Sequence, residues 1–263
     1  MKTTCSRPAT YLGVDLTDAY CKAPRPIDVC GLDARGATLE ARFWTWSYEG
    51  GTSDVDRLLW EVRAASRTAL DGPHALARRG QSQRACERLL RAPGKTPAEL
   101  PAVGRPFAGF VRSSVELFAA FASAGVGPAA ADGAPFAGRL IEVYPGGNWS
   151  RLVQGLGERL PAKNTPRGQA RRRVILEALG VVFEQGAAVG HDRLDACLAA
   201  VIAAAASGAL ADAETLAIGT PLEVDENGTA REGPIFVLSV GAQLRETIAS
   251  ALRGPSDVHV RRR

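Results

Sequence analysis

Gly190-His191-Asp192-Arg193-Leu194-Asp195-Ala196-Cys197-Leu198-Ala199-Ala200 is the stretch from which the rest of the chain is best read. It opens a helix with two carboxylates in its first turns. Asp192 and Asp195 are three apart and share a helix face. The apolar residues that follow are small: Ala196, Ala199, Ala200, Ala203 and Ala204. So thin a helix can press close against a sheet. A charge at the edge of such a buried surface needs a partner, because an unpaired ion there is costly. A divalent cation serves if other segments bring carboxylates to the same point. The alternative is that acids in a first turn simply suit the helix dipole.

Two segments supply such acids. Tyr11-Leu12-Gly13-Val14-Asp15-Leu16 reads as a buried strand carrying Asp15 at its end. Thr68-Ala69-Leu70-Asp71 is a second short strand, ended by Asp71 and broken by Gly72-Pro73. Between them, Ile27 to Leu32 and Leu39 to Trp44 read as a hairpin about the turn residues Asp33 to Gly36. Ser53 and Asp56 suggest a capping box for the helix that follows. Residues 74–106 read as a helix-containing insertion, with Val111 to Phe121 a further helix. Arg139 to Pro145 is a fifth strand with Glu142 inside it, followed by a Pro-Gly-Gly loop. Thr165 caps a helix with Pro166 at its first position, closed by Gly180. Asn227-Gly228 predicts a hairpin turn between Leu222 to Asp225 and a return strand at Ile235 to Leu238. A short helix near Leu244 to Leu252 and a basic tail follow.

The fold class expected is therefore α/β: a mixed five-stranded sheet, its first three strands antiparallel, with helices on both faces. The core spans 8–210. Residues 211–263 form a C-terminal hairpin and helix packed on that core, not an independent domain. If the strands ending in Asp15 and Asp71 are parallel neighbours, their carboxylates meet at the sheet edge where ligands of open α/β sheets bind. Such an oxygen-rich cluster suits Mg²⁺ or Mn²⁺.

Composition sets bounds on this reading. The chain has 263 residues, 46% hydrophobic and 23% charged, ordinary values for a globular protein with a substantial core. Thirty-two basic residues face 28 acidic ones, so any affinity for polyanions must come from local clusters. Five cysteines with no CxxC spacing argue against a disulfide framework and a zinc site, and point to a reducing cytoplasm. The N-terminal residues carry no apolar signal core. The longest apolar run, Ala196 to Ala206, falls short of the roughly 20 residues a bilayer requires, so no membrane partner is expected.

The order of elements and the placement of these acids resemble the ribonuclease H-like superfamily, and the late His-Asp-x-x-Asp-Ala helix resembles its RuvC-like branch. More narrowly, seven segments in register look like the predicted nucleases catalogued as domain of unknown function 429. They are Tyr11 to Asp15, Leu70 to Pro73, Arg84 to Glu87, Ile141 to Pro145, Lys163 to Gly168, His191 to Ala196 and Glu232 to Ile235. The resemblance implies a nuclease fold without naming a substrate. Two features depart from it. Asp54, Asp56 and Glu61 of the first helix sit in no recognisable motif, and Asp71 is followed by Gly72-Pro73-His74.

The expected chemistry is metal-dependent hydrolysis of phosphodiester bonds. Asp15, Asp71 and Asp195 are the expected metal ligands, with Asp192 and Glu142 supporting. Each has a plainer reading: Asp15 and Asp71 as turn acids, Glu142 as the partner of Lys163 or an arginine. His191 either starts the helix or orients a water. Tyr144 and Trp149 either stack on a base or fill core. From Arg159 to Arg173 there are six Lys or Arg and no acid. A solvated face usually mixes signs, so Lys163, Arg167, Arg171 and Arg172 are expected on a nucleic-acid backbone, DNA or RNA. Two rivals stand beside the nuclease. One is a silent nucleic-acid-binding module of the same fold. The other is a sugar-kinase-like phosphotransferase, disfavoured because that fold needs two related domains.

Overall fold

Alternating hydrophobicity at the N-terminus builds the centre of the sheet. In the computed structural model, which describes residues 8–47, 52–127, 139–185 and 189–254 (backbone alone for 52–56), β1 (Tyr11–Asp15) lies in mid-sheet. β2 (Ile27–Arg35) and β3 (Thr38–Trp46) form the predicted hairpin, turned at Gly36, whose φ of 59° suits glycine. β2 runs antiparallel to β1, while β4 (Arg67–Asp71) and β5 (Leu140–Val143) continue the sheet in parallel.

The sheet holds eight strands, not five: β6-β3-β2-β1-β4-β5-β10-β7. The pair at Val181–Val182 (β6) adds to one edge. On the other side, β10 (Ile235–Val240) runs parallel to β5, and β7 (Ala213–Ile218) lies antiparallel outside it. The Asn227-Gly228 turn joins β8 (Leu222–Val224) to β9 (Ala230–Glu232), a separate two-stranded ribbon. Ile235 is therefore not the return strand of that hairpin. Glu232 and Gly233, both at positive φ, redirect the chain into the main sheet first.

Helices cover both faces. Alternate residues of β1 point opposite ways. Leu12, Val14 and Leu16 join a core closed by Leu58 and Val62 of α1 (Thr52–Ala64) and Phe118 and Phe121 of α3 (Ala108–Ser123). Tyr11 joins the opposite core, built with α4 (Pro145–Val153), α5 (Pro166–Ala178), α6 (His191–Ala205) and α7 (Ala242–Arg253). Thr165 caps α5 as expected, its hydroxyl accepting from the Gly168 amide at 3.0 Å. The Ser53–Asp56 capping box involves side chains outside the described residues, as does the basic tail.

Residues 145–153 form a helix where the sequence predicts a loop. Pro145 takes the first helical position. The Tyr144 ring lies across the glycines that follow: a Cβ on Gly147 would stand 2.6 Å from it. The Gly-Gly pair admits an aromatic ring at a helix start rather than breaking the helix. The 74–106 insertion contains one short helix, α2 (Ala85–Leu90). Several of its arginines meet acids, Arg78 with Glu223, Arg79 with Glu226 at 3.0 Å, and Arg84 with Glu142. Among the described residues no helix is long and apolar enough to cross a membrane, and Cys21, Cys30, Cys86 and Cys197 are free thiols.

Candidate functional site

β1 and β4 are in parallel register, with Asp15 beside Asp71 as the last residue of each strand. Both side chains follow the parity of Tyr11 and Ala69, so they face α6. What brings α6 down onto them is Gly13. A Cβ there would lie 2.0 Å from the Ala196 carbonyl oxygen and 2.2 Å from the Ala200 nitrogen. With no side chain on Gly13 and alanines opposite, the helix backbone rests on the strand. Asp195, one turn into that helix, is thereby buried to 2% exposure above the strand ends.

Asp195 is fully engaged. Its Oδ1 accepts from the Trp149 indole at 2.6 Å and its Oδ2 from the Lys163 ammonium at 2.7 Å. Trp149 is buried, so it orients this carboxylate and is not free to stack on a base. Asp192 sits at the rim, bridged to Arg25 at 2.6 Å and to His191 Nε2 at 3.1 Å.

Crowding of like charge in a dry place shows in the acidities. Burial, then the charges of Asp71, Asp195 and Asp192, push the Asp15 carboxyl well above the usual carboxylate range. Burial and then Asp195 push Asp71 up to about 7, against the opposing pull of Lys163 and of a hydrogen bond shared with Asp15. Both carboxyls are thereby biased toward their protonated forms. Burial disfavours the Lys163 charge, but Asp195, Asp15 and Asp192 outweigh it and hold the ammonium above its usual range. Lys163 is the resident counter-ion of the cluster. Tyr144, at the start of α4, is half-buried. Burial and the neighbouring Asp71 raise its hydroxyl's pKa.

Glu142 does not join this group. It stands beside Leu70 in the β4–β5 register, and its strand neighbour Val143 stands beside Asp71. One residue of offset turns it to the opposite face. There it accepts both guanidinium nitrogens of Arg84 and the backbone N–H of His74 at 2.9 Å, with the His74 ring at 2.5 Å. Burial works against the Glu142 charge, yet Arg84 and His74 bring its pKa down to about 2. Glu61 is likewise structural, accepting from the indoles of Trp44 and Trp46; the side chains of Asp54 and Asp56 lie outside the described residues.

Of the four basic residues predicted on nucleic acid, Lys163 serves Asp195 and Arg167 is exposed. Arg171 donates to the Leu252 carbonyl. Arg172 is buried, donating to the Pro161 and Gly168 carbonyls at 3.0 Å each and lying over the Trp149 ring. Sequence reasoning missed Trp149 and Lys163 as partners of Asp195. The only signal for Lys163 was a lone lysine just before a helix N-terminus.

As donors for a divalent cation, Asp15 and Asp71 offer adjacent carboxylate oxygens, the chemistry that hard cations select. Asp195 is committed to Lys163 and Trp149, and no group of three or more His, Cys, Asp or Glu able to hold an ion is formed among the described residues. The residues that fit a cation are thus the pair Asp15 and Asp71, while Asp195 is held by Lys163. No curated protein and no solved structure matches this chain. The model of one family, described as Protein of unknown function (DUF429), matches residues 13–217, which include the Asp15 end of β1 with β4, β5 and α6, and the chain belongs to that family.

Proposed function

We propose that the protein is a divalent-metal-dependent nuclease of ribonuclease H-like fold, with Asp15 and Asp71 holding Mg²⁺ or Mn²⁺ and Asp195 completing the set. The observation that carries this reading is the side-by-side placement of Asp15 and Asp71 beneath Asp195. The charge of Asp195 helps to raise the pKa of both Asp15 and Asp71, and a cation relieves that repulsion. Supporting the fold assignment are the strand order β3-β2-β1-β4-β5, with only β2 reversed among the five, and the late helix against β1.

A cation held there supplies positive charge to a phosphoryl oxygen and acidity to a water. The chain's own residues do the rest. Asp15 and Asp71 would hold the cation. Trp149 fixes one oxygen of Asp195 from the protein side, so Oδ2 would be the oxygen offered. Lys163, which holds that oxygen in the structure, would then be free to meet a phosphate. Asp192 and His191 stand at the start of the same helix.

A second reading has its own support. The Lys163–Asp195 pair neutralises part of the cluster without metal, which suits a nucleic-acid-binding module that does not cut. A cleavage screen separates the two. Single-stranded, duplex, hybrid and branched substrates are incubated with Mg²⁺ or Mn²⁺. Chelator-sensitive cleavage supports the nuclease, whereas binding without cleavage supports the module.

A further inference from the structure

Two cavities meet at Tyr144. The larger, about 1020 Å³, runs between the end of α2, α4 and the 154–160 loop, and Arg91, Arg151, Arg159 and Arg172 line it. The smaller, about 170 Å³, is a slot with a mainly apolar exposed wall; Phe107, Tyr144 and Asp71 line it, as do Arg84, Glu87 and Glu142. About half of the described arginines are tied to carboxylates, as in Arg25–Asp192, Arg42–Asp33 and Arg193–Asp28. Arg91, Arg151 and Arg159 are exposed and make no ion pair or side-chain hydrogen bond among the described residues. Arg172 lies on the groove at 8% exposure, with no carboxylate bound to it and its Nε without a partner. A single acid, Glu158, lines the same groove. Four positive charges lining one concavity, one of them buried and held by carbonyls rather than by a carboxylate, call for an anionic ligand with several charges in a row.

The slot adds a second preference. Phe107 is 59% exposed at its mouth and sits at φ 62°, a conformation that costs a non-glycine residue energy. An exposed ring held in that conformation, lining the same slot as a half-buried tyrosine, offers a surface for stacking. A basic groove continuing into an aromatic slot is the combination by which proteins hold an unpaired strand.

We propose that this groove and slot bind single-stranded nucleic acid. The phosphates lie on Arg91, Arg151, Arg159 and Arg172, and one base enters between Phe107 and Tyr144, which sets the adjoining phosphodiester at Asp71. The direction of the strand into the acid site rests on the nuclease reading; the binding itself does not.

The test is fluorescence anisotropy of a labelled oligothymidine and of a duplex of equal length, in chelator so that nothing is cut. The full-length parent should bind the single strand at least tenfold more tightly than the duplex. The doubly reversed Arg151→Glu/Arg159→Glu, at two exposed positions, should weaken single-strand binding tenfold or more and flatten its salt dependence by about one to two counterions. Reversal of Arg35 and Arg253, exposed and remote from the groove, should do much less. Phe107→Ala should cost the single strand about tenfold and leave duplex binding unchanged. Circular dichroism and melting confirm that the variants fold. Groove variants that bind like the parent, or a duplex bound as tightly as the single strand, would overturn this proposal even if cleavage is observed. Strand binding on the groove with no cleavage under any metal supports it while removing the nuclease reading.

Discussion

Asp71 is the residue whose titration reports on the whole site. The unfolded chain releases its proton above about pH 3.8, whereas the folded protein keeps it to about 7. The native state therefore binds more protons through that window, and its stability falls as pH rises from about 4 to 7. Urea melts of the metal-free protein across this range should show that decline, and Asp71→Asn should flatten it. Glu142 has the opposite sign. Its pKa is depressed from 4.5 to about 2, so the stability it contributes is present above 4.5 and lost as pH falls toward 2. Glu142→Gln leaves the buried Arg84 with Glu87 as its one remaining carboxylate and should cost about 3 kcal/mol, measured by denaturant melts, with no direct loss at the acid site. Lys163→Met, by freeing Asp195 Oδ2, should lower the melting temperature of the metal-free protein. It should also enlarge the rise produced by Mn²⁺. An unchanged rise would mean that Lys163 and the cation do not compete.

The close approach of α6 to β1 is what turns separate acids into a site. Gly13→Ala places a methyl group inside the Ala196–Ala200 backbone, and the helix must lift. We expect a loss of about 1–3 kcal/mol in denaturant melts, together with weaker metal binding. Much of this was legible in the sequence. The alanine face of α6, the acids at the ends of β1 and β4, and the Thr165-Pro166 cap were each carried by local pattern. What escaped had non-local causes. Glu142 looked like a member of the cluster because a strand's content shows in the sequence, but its facing depends on register with β4. The helix after Tyr144 was hidden because two glycines normally signal a turn, and here they make room for a ring. β10 reads in sequence as the return strand of the hairpin and β7 was not foreseen at all; only sheet pairing reveals their place.

At the scale of the molecule, residues after α6 complete the structure rather than decorate it. β10 extends the sheet beside β5, the Asn148 side chain accepts from the Leu238 amide at 2.7 Å, and Ile248 and Leu252 of α7 enter the core under α5. A chain cut after residue 208 should therefore fail to fold cooperatively, as judged by near-ultraviolet circular dichroism and a broad melt. A sharp transition in that fragment would show the C-terminal segment to be dispensable. The basic surface was read from one run of sequence, yet folding turned Arg171 to a backbone carbonyl and set Arg172 in a groove with exposed arginines from distant segments. Runs of charge show what a segment carries, and only packing shows where it points. The central claim concerns the acids, and the most direct measurement is a cleavage assay comparing the parent with Asp15→Asn. The parent should cut nucleic acid only when Mg²⁺ or Mn²⁺ is supplied, and Asp15→Asn, folded and still able to bind the strand, should not cut at all. Full cleavage by Asp15→Asn, or cleavage by the parent that survives complete chelation, would contradict the account.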